Sequence, residues 1–232
     1  MKLGIIIATY QRIDGKTPEL LKRAISSIQY QKYQNYQLII VGDRYDDAEE
    51  FERICTENAI SDKIIHINLD HAAEREKYPI GSKELWNSGG VNARNTGIEM
   101  ALEMGLTYIC HLDHDDYWTP DHLSNITSVI EQDPNAAFIY ACSTYIDRYI
   151  PYIPITGAVY RISPQPCNLV HSSVCINHKT IPLRYRDVYA EEQRIEPADA
   201  DLWSRISSHI HVHNLNSYLI AAITCHHPTE NQ

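Results

Sequence analysis

The sequence predicts an α/β fold: a mostly parallel, doubly wound central sheet with helices on both faces. Three observations carry that prediction. Apolar strand-like runs alternate with helical patterns through the first seventy or so residues, the order in which strand–helix–strand units are laid down. The runs are apolar throughout rather than alternating, as strands covered on both faces require. Each run ends in polar residues, and in open sheets of this kind ligands bind beyond the carboxyl ends of the strands.

Leu3-Gly-Ile-Ile-Ile-Ala is the first such run, and it ends at Thr9-Tyr10-Gln11-Arg12. Thr17-Pro18 then starts a helix, because Leu20, Leu21, Ala24, Ile25 and Ile28 recur at helical spacing. Tyr36 to Val41 is a second strand ending in Gly42-Asp43-Arg44, and a helix through Phe51 and Ile54 leads to a third, Lys63 to Asn68. Residues 70–88 show little periodicity and read as a surface loop. Gly89-Gly90 opens a helix from Val91 to Met104, with Gly105 placed as its C′ residue. Tyr108 to Leu112 is a short buried strand that stops where carboxylates begin. Thr119-Pro120-Asp121 starts another helix, Asp133-Pro134-Asn135 closes it, and Ala136 to Tyr145 is again a strand.

The character then changes. Residues 147–167 are rich in proline and tyrosine, which suits loops or edge strands. Asn168 to Ile176 is apolar and β-branched apart from His171-Ser172-Ser173. A short helix is expected at 201–206, followed by a strand on which His209, His211 and His213 alternate as a surface ladder. Ile220 to Thr224 is the last strand, before Cys225-His226-His227. With no repeat and no linker, residues 1–232 read as one domain.

Composition narrows the function. A net charge of −10, from 20 basic and 30 acidic residues, argues against a nucleic-acid backbone binder. The six cysteines have no metal-site or paired spacing, and Cys110 and Cys175 lie in apolar runs, as reduced buried thiols do. No stretch reaches transmembrane length and Leu3 to Ala8 is too short for a signal-peptide core, so a cytoplasmic protein without an integral membrane segment is expected.

The acid cluster after Leu112 holds Asp113, His114, Asp115 and Asp116. Carboxylates at the end of a buried strand cost free energy unless a cation or hydrogen bonds compensate them. Two residues apart, Asp113 and Asp115 share a face of an extended segment and would bracket a divalent cation, with Asp116 turned away. Oxygen ligands favour manganese or magnesium. The competing reading is a solvated acidic turn leading into the next helix.

Several motifs together resemble the family 2 glycosyltransferases. Ile5-Ile-Ile-Ala-Thr-Tyr-Gln-Arg12 is similar to that family's opening strand, and Val41-Gly-Asp-Arg-Tyr-Asp-Asp47 to its second strand end. Asn92-Ala-Arg-Asn-Thr-Gly97 resembles its A-R-N-x-G helix start, Leu112-Asp-His-Asp-Asp116 its L-D-x-D-D, and Asp199-Ala-Asp-Leu-Trp-Ser-Arg205 its E-D-x-x-L-W-x-R. The departures are Gly42 for an acid, Arg44 for a glycine, and Ala198 for the acid before Asp199. The resemblance implies a GT-A fold, Rossmann-like, with a nucleotide-binding half of about 1–117 and an acceptor half of about 118–232.

It also implies sugar transfer from a nucleotide-diphosphate donor, with a UDP-sugar expected, to a glycan, protein or small-molecule hydroxyl. Asp115, with Asp113, is the expected metal ligand for Mn2+ or Mg2+, and Asp113 also faces the ribose. Thr9, Tyr10, Arg12 and His114 are expected to line the nucleotide-sugar pocket, Asp43 to accept from the base, and Arg94 with Asn95 to meet the diphosphate. Asp199 is the candidate general base, which implies inversion; Asp201 competes for that role, and either could cap the helix. His171, in a segment similar to the family's H-P-T-V-M-F, and His227 or His226 are candidates to complete the metal shell. Other readings fit less well. A sugar-phosphate nucleotidyltransferase calls for a glycine-rich basic loop after the first strand, and a non-catalytic relative would lack the acids. A phosphoesterase would show clustered ligand pairs.

Overall fold

A computed structural model of the chain describes residues 1–166, 168–187 and 197–228; Cys167, one of the six cysteines, lies outside them. The predicted apolar runs become β1 (Leu3–Thr9), β2 (Tyr36–Gly42), β3 (Ile64–Asn68) and β4 (Tyr108–His111), joined through α1 (Thr17–Gln29), α2 (Ala48–Thr56), α3 (Ala73–Lys77), α4 (Lys83–Ser88) and α5 (Val91–Glu103). Next come β5 (Tyr117–Trp118), α6 (His122–Gln132), β6 (Ala136–Tyr145), β7 (Arg148–Ile150), β8 (Val159–Arg161), β9 (Cys175–Asn177), α7 (Ala198–His213) and β10 (Asn216–His227).

The strands form one sheet in the order β3-β2-β1-β4-β9-β6-β10-β5, with β7 on β6 and β8 on β10. β1 to β4 are parallel to one another, β9 is antiparallel to both β4 and β6, and β10 is parallel to β6. The strand alternation splits the core in two. Ile5, Ile7, Leu38 and Ile40 pack with Leu21, Ile25, Phe51, Ile54 and Ile126 from α1, α2 and α6. Ile6, Ile39 and Val41 face Ile98, Leu202, Trp203 and Ile206 from α5 and α7. Helices therefore cover both faces, which is why the strands are apolar throughout. α5 lies close on β1 because residue 97 is glycine: a Cβ there would stand 2.7 Å from Ile6 Cγ2.

Two expectations change. Residues 70–88 are not a plain loop, for α3 and α4 are both in it. Helices of five and six residues are too short to print a 3.6-residue period on the sequence. The histidine ladder is not on a strand: His209, His211 and His213 form the end of α7. Leu202, Ile206 and Ile210 recur every fourth residue on its buried face, and Asn214 ends it in the left-handed region at φ 51°. His209 and His213 are thus helical neighbours with ring centroids 4.2 Å apart. The five cysteines among the described residues are free thiols and all buried. No helix among the described residues is long and apolar enough to cross a membrane.

Candidate active site

The carboxyl ends of β1, β2 and β4 open onto a cleft of about 760 Å³ whose other wall is α4 and the start of α5. Thr9, Tyr10, Asp43, Arg94, Asp113, His114, Asp115 and His227 all line it, so residues separated by more than two hundred positions meet at one edge of the sheet.

The acid cluster is a reverse turn, not an extended segment, since Asp116 N donates to Asp113 O at 3.1 Å. The turn sends its three carboxylates to different environments. Asp113 receives Arg94 Nη2 at 3.1 Å and lies 3.0 Å from His171 Nδ1. Burial alone would raise the pKa of Asp113; the opposing charges of His171 and Arg94 prevail and hold it well below the usual carboxylate range. Asp115 is a quarter exposed, and its nearest side-chain partner is Arg12 Nη1 at 3.5 Å; the Arg23 guanidinium caps its backbone carbonyl. Asp116 turns inward, with its carboxylate between Ser172 Oγ and His227 Nδ1, the latter at 2.6 Å. Burial pushes Asp116 up to about 6 despite His227. Burial also opposes protonation of His227, but the Asp116 carboxylate outweighs it and raises the imidazole pKa.

At the other end of the cleft, Asp43 N donates to Thr9 O at 2.7 Å, tying the ends of β1 and β2 together. Arg75 Nε holds Asp43 Oδ2 at 3.2 Å, while Oδ1 is buried with no partner. Burial raises the Asp43 pKa and Arg75 opposes it. Thr9 Oγ1 is likewise buried and unpartnered. Tyr10 is boxed, with the Arg75 guanidinium 5.7 Å from its ring centre and the His114 ring edge-on at 5.5 Å. Arg12 binds Asp14 at 3.0 Å besides reaching toward Asp115. His114 is 6% exposed, and burial depresses its pKa.

α5 begins at Gly90, which takes φ 72° and has no side chain with which to cap. Glu74 supplies the cap from α3, its Oε1 accepting from Asn92 N at 2.8 Å. Arg94 projects from this first turn over the Tyr185 ring at 5.5 Å and onto Asp113. Asn95 points elsewhere: it exchanges two hydrogen bonds with the Tyr185 backbone, at 2.8 and 3.1 Å. Tyr185 OH in turn meets His171 Nε2 at 2.7 Å. His171 Nε2 is thus taken by Tyr185, and its buried Nδ1 lies 3.0 Å from Asp113 without forming a hydrogen bond, whereas His227 keeps Nε2 without a partner among the described residues. His226 stacks on Tyr117 at 4.9 Å, away from the cleft lining.

Asp199 sits half-buried in the first turn of α7, its Oδ1 accepting from Ala200 N at 2.8 Å. It is not in the wall of the cleft, yet its negative charge acts on both Arg94 and Tyr185. Asp201 has a different fate. It is fully buried, gripped by Arg186 through two 2.9 Å contacts and by Arg205 at 2.8 Å, which makes it a structural clamp rather than a base.

Among the described residues no three His, Cys, Asp or Glu side chains converge into a ready-made cage for a metal. Asp115 still offers a hard oxygen donor to the cleft, and magnesium-type sites are commonly completed by substrate phosphates. The donor set thus fits a cation that arrives with a diphosphate. Residues that the sequence did not single out also shape the site: Arg75 behind Asp43, Glu74 under α5, Lys83 and Trp86 on the cleft wall, and Ser172 and Tyr185 beneath the acids. The only signal for the first four was their position inside the aperiodic 70–88 stretch.

The profile described as glycosyl transferase family 2 matches residues 82–181. The uncharacterized glycosyltransferase R139 of Acanthamoeba polyphaga mimivirus is 32% identical over 238 residues, covering 99% of this chain and 95% of that protein. Among solved structures, S. aureus TarS 1–349 in complex with UDP-GlcNAc superposes with a TM-score of 0.70 at 11% identity, over 100% of this chain and 60% of that one. The mannosyltransferase PcManGT from Pyrobaculum calidifontis, in complex with GDP-Man and Mn2+, gives 0.62 at 12% identity, over 97% of this chain and 56% of that one. The chain thus spans somewhat more than half the length of these two solved relatives, and they share its GT-A fold.

Proposed function

Since the chain belongs to glycosyl transferase family 2, we propose that it moves a sugar from a nucleotide-diphosphate donor, a UDP-sugar by preference, to an acceptor hydroxyl, with metal assistance and inversion at the anomeric carbon. The observation that carries this reading is the meeting of Asp43, Asp113, Asp115 and Arg94 in one cleft at the carboxyl edge of the sheet. Donors named with the solved relatives, UDP-GlcNAc and GDP-Man, define the first compounds to try.

In this reading the unpartnered Asp43 Oδ1 accepts a hydrogen bond from the base, with Thr9, Tyr10 and His114 around it. Asp113, kept ionised by Arg94 and His171, accepts from the ribose. Arg94 and Arg12 bring positive charge to the diphosphate, and Asn95 serves by fixing Tyr185 under Arg94. Asp115 and His227 are the side chains that would hold Mn2+ or Mg2+, while His171, its Nε2 held by Tyr185 and its Nδ1 3.0 Å from the Asp113 carboxylate, positions Asp113. When bound, the cation supplies Lewis-acid neutralisation of the departing diphosphate. Asp199 takes the acceptor proton as the acceptor oxygen bonds to the anomeric carbon. The bond from that carbon to the phosphate oxygen breaks with its electron pair leaving on the diphosphate. The nucleotide half ends near residue 117 and the acceptor half follows it.

A thermal-shift panel of nucleotide sugars, with and without Mn2+, tests the reading. A ligand bound by the native state alone raises the melting temperature, so a UDP-sugar with Mn2+ is expected to give the largest shift. A flat response to every nucleotide sugar, with and without metal, overturns it.

A further inference from the structure

Three tryptophans occur in the chain, and they are placed very differently. Trp118 and Trp203 are 3% and 1% exposed, whereas Trp86 is 73% exposed on the wall of the cleft. Its helix explains how. Ser82 caps α4 by accepting from Leu85 N at 3.1 Å, and Asn87 and Ser88 turn the buried face of that helix inward. Trp86 is left on the open side.

An exposed indole forfeits the burial that so large an apolar side chain ordinarily gains. The Trp86 backbone N–H is engaged, donating to Ser82 O at 3.1 Å, but among the described residues its indole makes no ring contact, cation contact or hydrogen bond, so both ring faces and the indole N–H are unspent. Tyr10, the other exposed aromatic on the cleft, differs in that Arg75 and His114 already box it.

We infer that Trp86 is the surface on which a sugar ring of the substrate lies, its indole face against the ring's C–H face. This rests on the glycosyltransferase reading and adds a specificity-determining residue to it. The anchoring of α4 places Trp86 within reach of the Asp113 end of the cleft. Ser88 Oγ donates to Asp187 at 3.1 Å, two residues from Tyr185, whose hydroxyl meets His171 on Asp113. The α4 wall is thereby tied to the Asp113 end of the cleft, with Lys77 at the end of α3 and Tyr78 just after it meeting the same Asp187 at 2.9 Å. The sugar is either that of the donor or one of the acceptor, and the two are separated by experiment.

Iodide quenching of tryptophan fluorescence in the full chain reads Trp86 selectively, because Trp118 and Trp203 are shielded. Calorimetry is run in parallel with Mn2+ present, using UDP, UDP-GlcNAc, GDP, GDP-mannose and free oligosaccharides. Protection by a nucleotide sugar and not by its nucleotide diphosphate assigns the donor sugar; protection only when an oligosaccharide is added assigns the acceptor. Trp86→Ala then raises the KM of that sugar-bearing substrate roughly tenfold with the nucleotide diphosphate Kd unchanged, and Trp86→Phe recovers most of the loss. Binding heat without protection, or equal protection by the nucleotide diphosphate alone, overturns the inference and leaves the glycosyltransferase reading intact. No binding heat with any nucleotide sugar overturns both.

Discussion

Replacing Gly42 by alanine drives a methyl carbon into Asn68. The new Cβ would stand 2.5 Å from Asn68 Oδ1, 3.1 Å from its Cγ and 3.3 Å from Phe51 Cζ. Asn68 cannot swing aside freely, because its Oδ1 accepts from Tyr45 N at 2.7 Å and its Nδ2 donates to Tyr45 O at 2.9 Å. Those two bonds hold the turn that contains Asp43 and Arg44, the latter at φ 47°. Losing both costs about 1–3 kcal/mol, and crowding at Phe51 adds about 1 kcal/mol. Reduced freedom of the unfolded chain returns roughly 0.4–1 kcal/mol. The net loss of about 1–4 kcal/mol should lower Tm by roughly 2–14 °C, and because Asp43 shifts with the turn, nucleotide affinity should fall as well. Melting of Gly42→Ala, Asn68→Ala and the double variant isolates the clash: once Asn68 is truncated, the alanine at 42 should cost almost nothing more. An unchanged Tm in Gly42→Ala, or strictly additive losses in the double variant, would refute the reasoning.

Three further outcomes follow from the geometry. Asp199→Asn should leave nucleotide-sugar binding intact by calorimetry while lowering transfer by roughly 10²–10⁴-fold; full turnover would move the base elsewhere. Asp201→Asn should act on stability instead, since it takes the buried charge away from Arg186 and Arg205, which are themselves 33% and 22% exposed, and a loss of about 1–3 kcal/mol in urea unfolding is expected. A loss of activity at unchanged stability would contradict the clamp. For pH, Asp116 is raised from 3.8 to about 6 in the folded state. The folded chain therefore holds this proton more tightly than the unfolded chain does. The associated stability is complete below the unfolded pKa and is lost as pH rises through about 6, by about 2–3 kcal/mol. The raised pKa of His227 extends the loss in the same direction at higher pH. Measured without metal, wild-type stability relative to Asp116→Asn should fall by that amount from pH 4 to pH 7, because the asparagine does not titrate; a constant difference rules this assignment out.

Much of the sheet was legible from sequence, because β1, β2 and β4 are continuous apolar runs that end in polar residues. The helix start at Gly89-Gly90 and the strand Ala136–Tyr145 were equally plain. What stayed hidden depends on contacts remote in sequence. β9 has three residues, and only its antiparallel pairing with β4 and β6 makes it a strand. Three alternating histidines imitate a strand, but the burial of Leu202, Ile206 and Ile210 against the sheet settles a helix. In the site, Asp113, Asp115 and Arg94 announced themselves through motif spacing. Arg75, Glu74 and Tyr185 did not, since each matters through one partner reached only in the fold: Asp43, Asn92 N and His171. The identical Asp letters at 199 and 201 diverge for the same reason, one left half-buried near Arg94 and the other clamped by Arg186 and Arg205.

The most direct test is calorimetric titration of UDP-GlcNAc and GDP-mannose into wild-type protein and Asp115→Ala, each with Mn2+ and with chelator. Tight binding that needs both the metal and Asp115 is the predicted result. Affinity that is indifferent to Mn2+ and unchanged in Asp115→Ala would contradict the view that a carboxylate at the edge of the sheet and a divalent cation together grip the diphosphate.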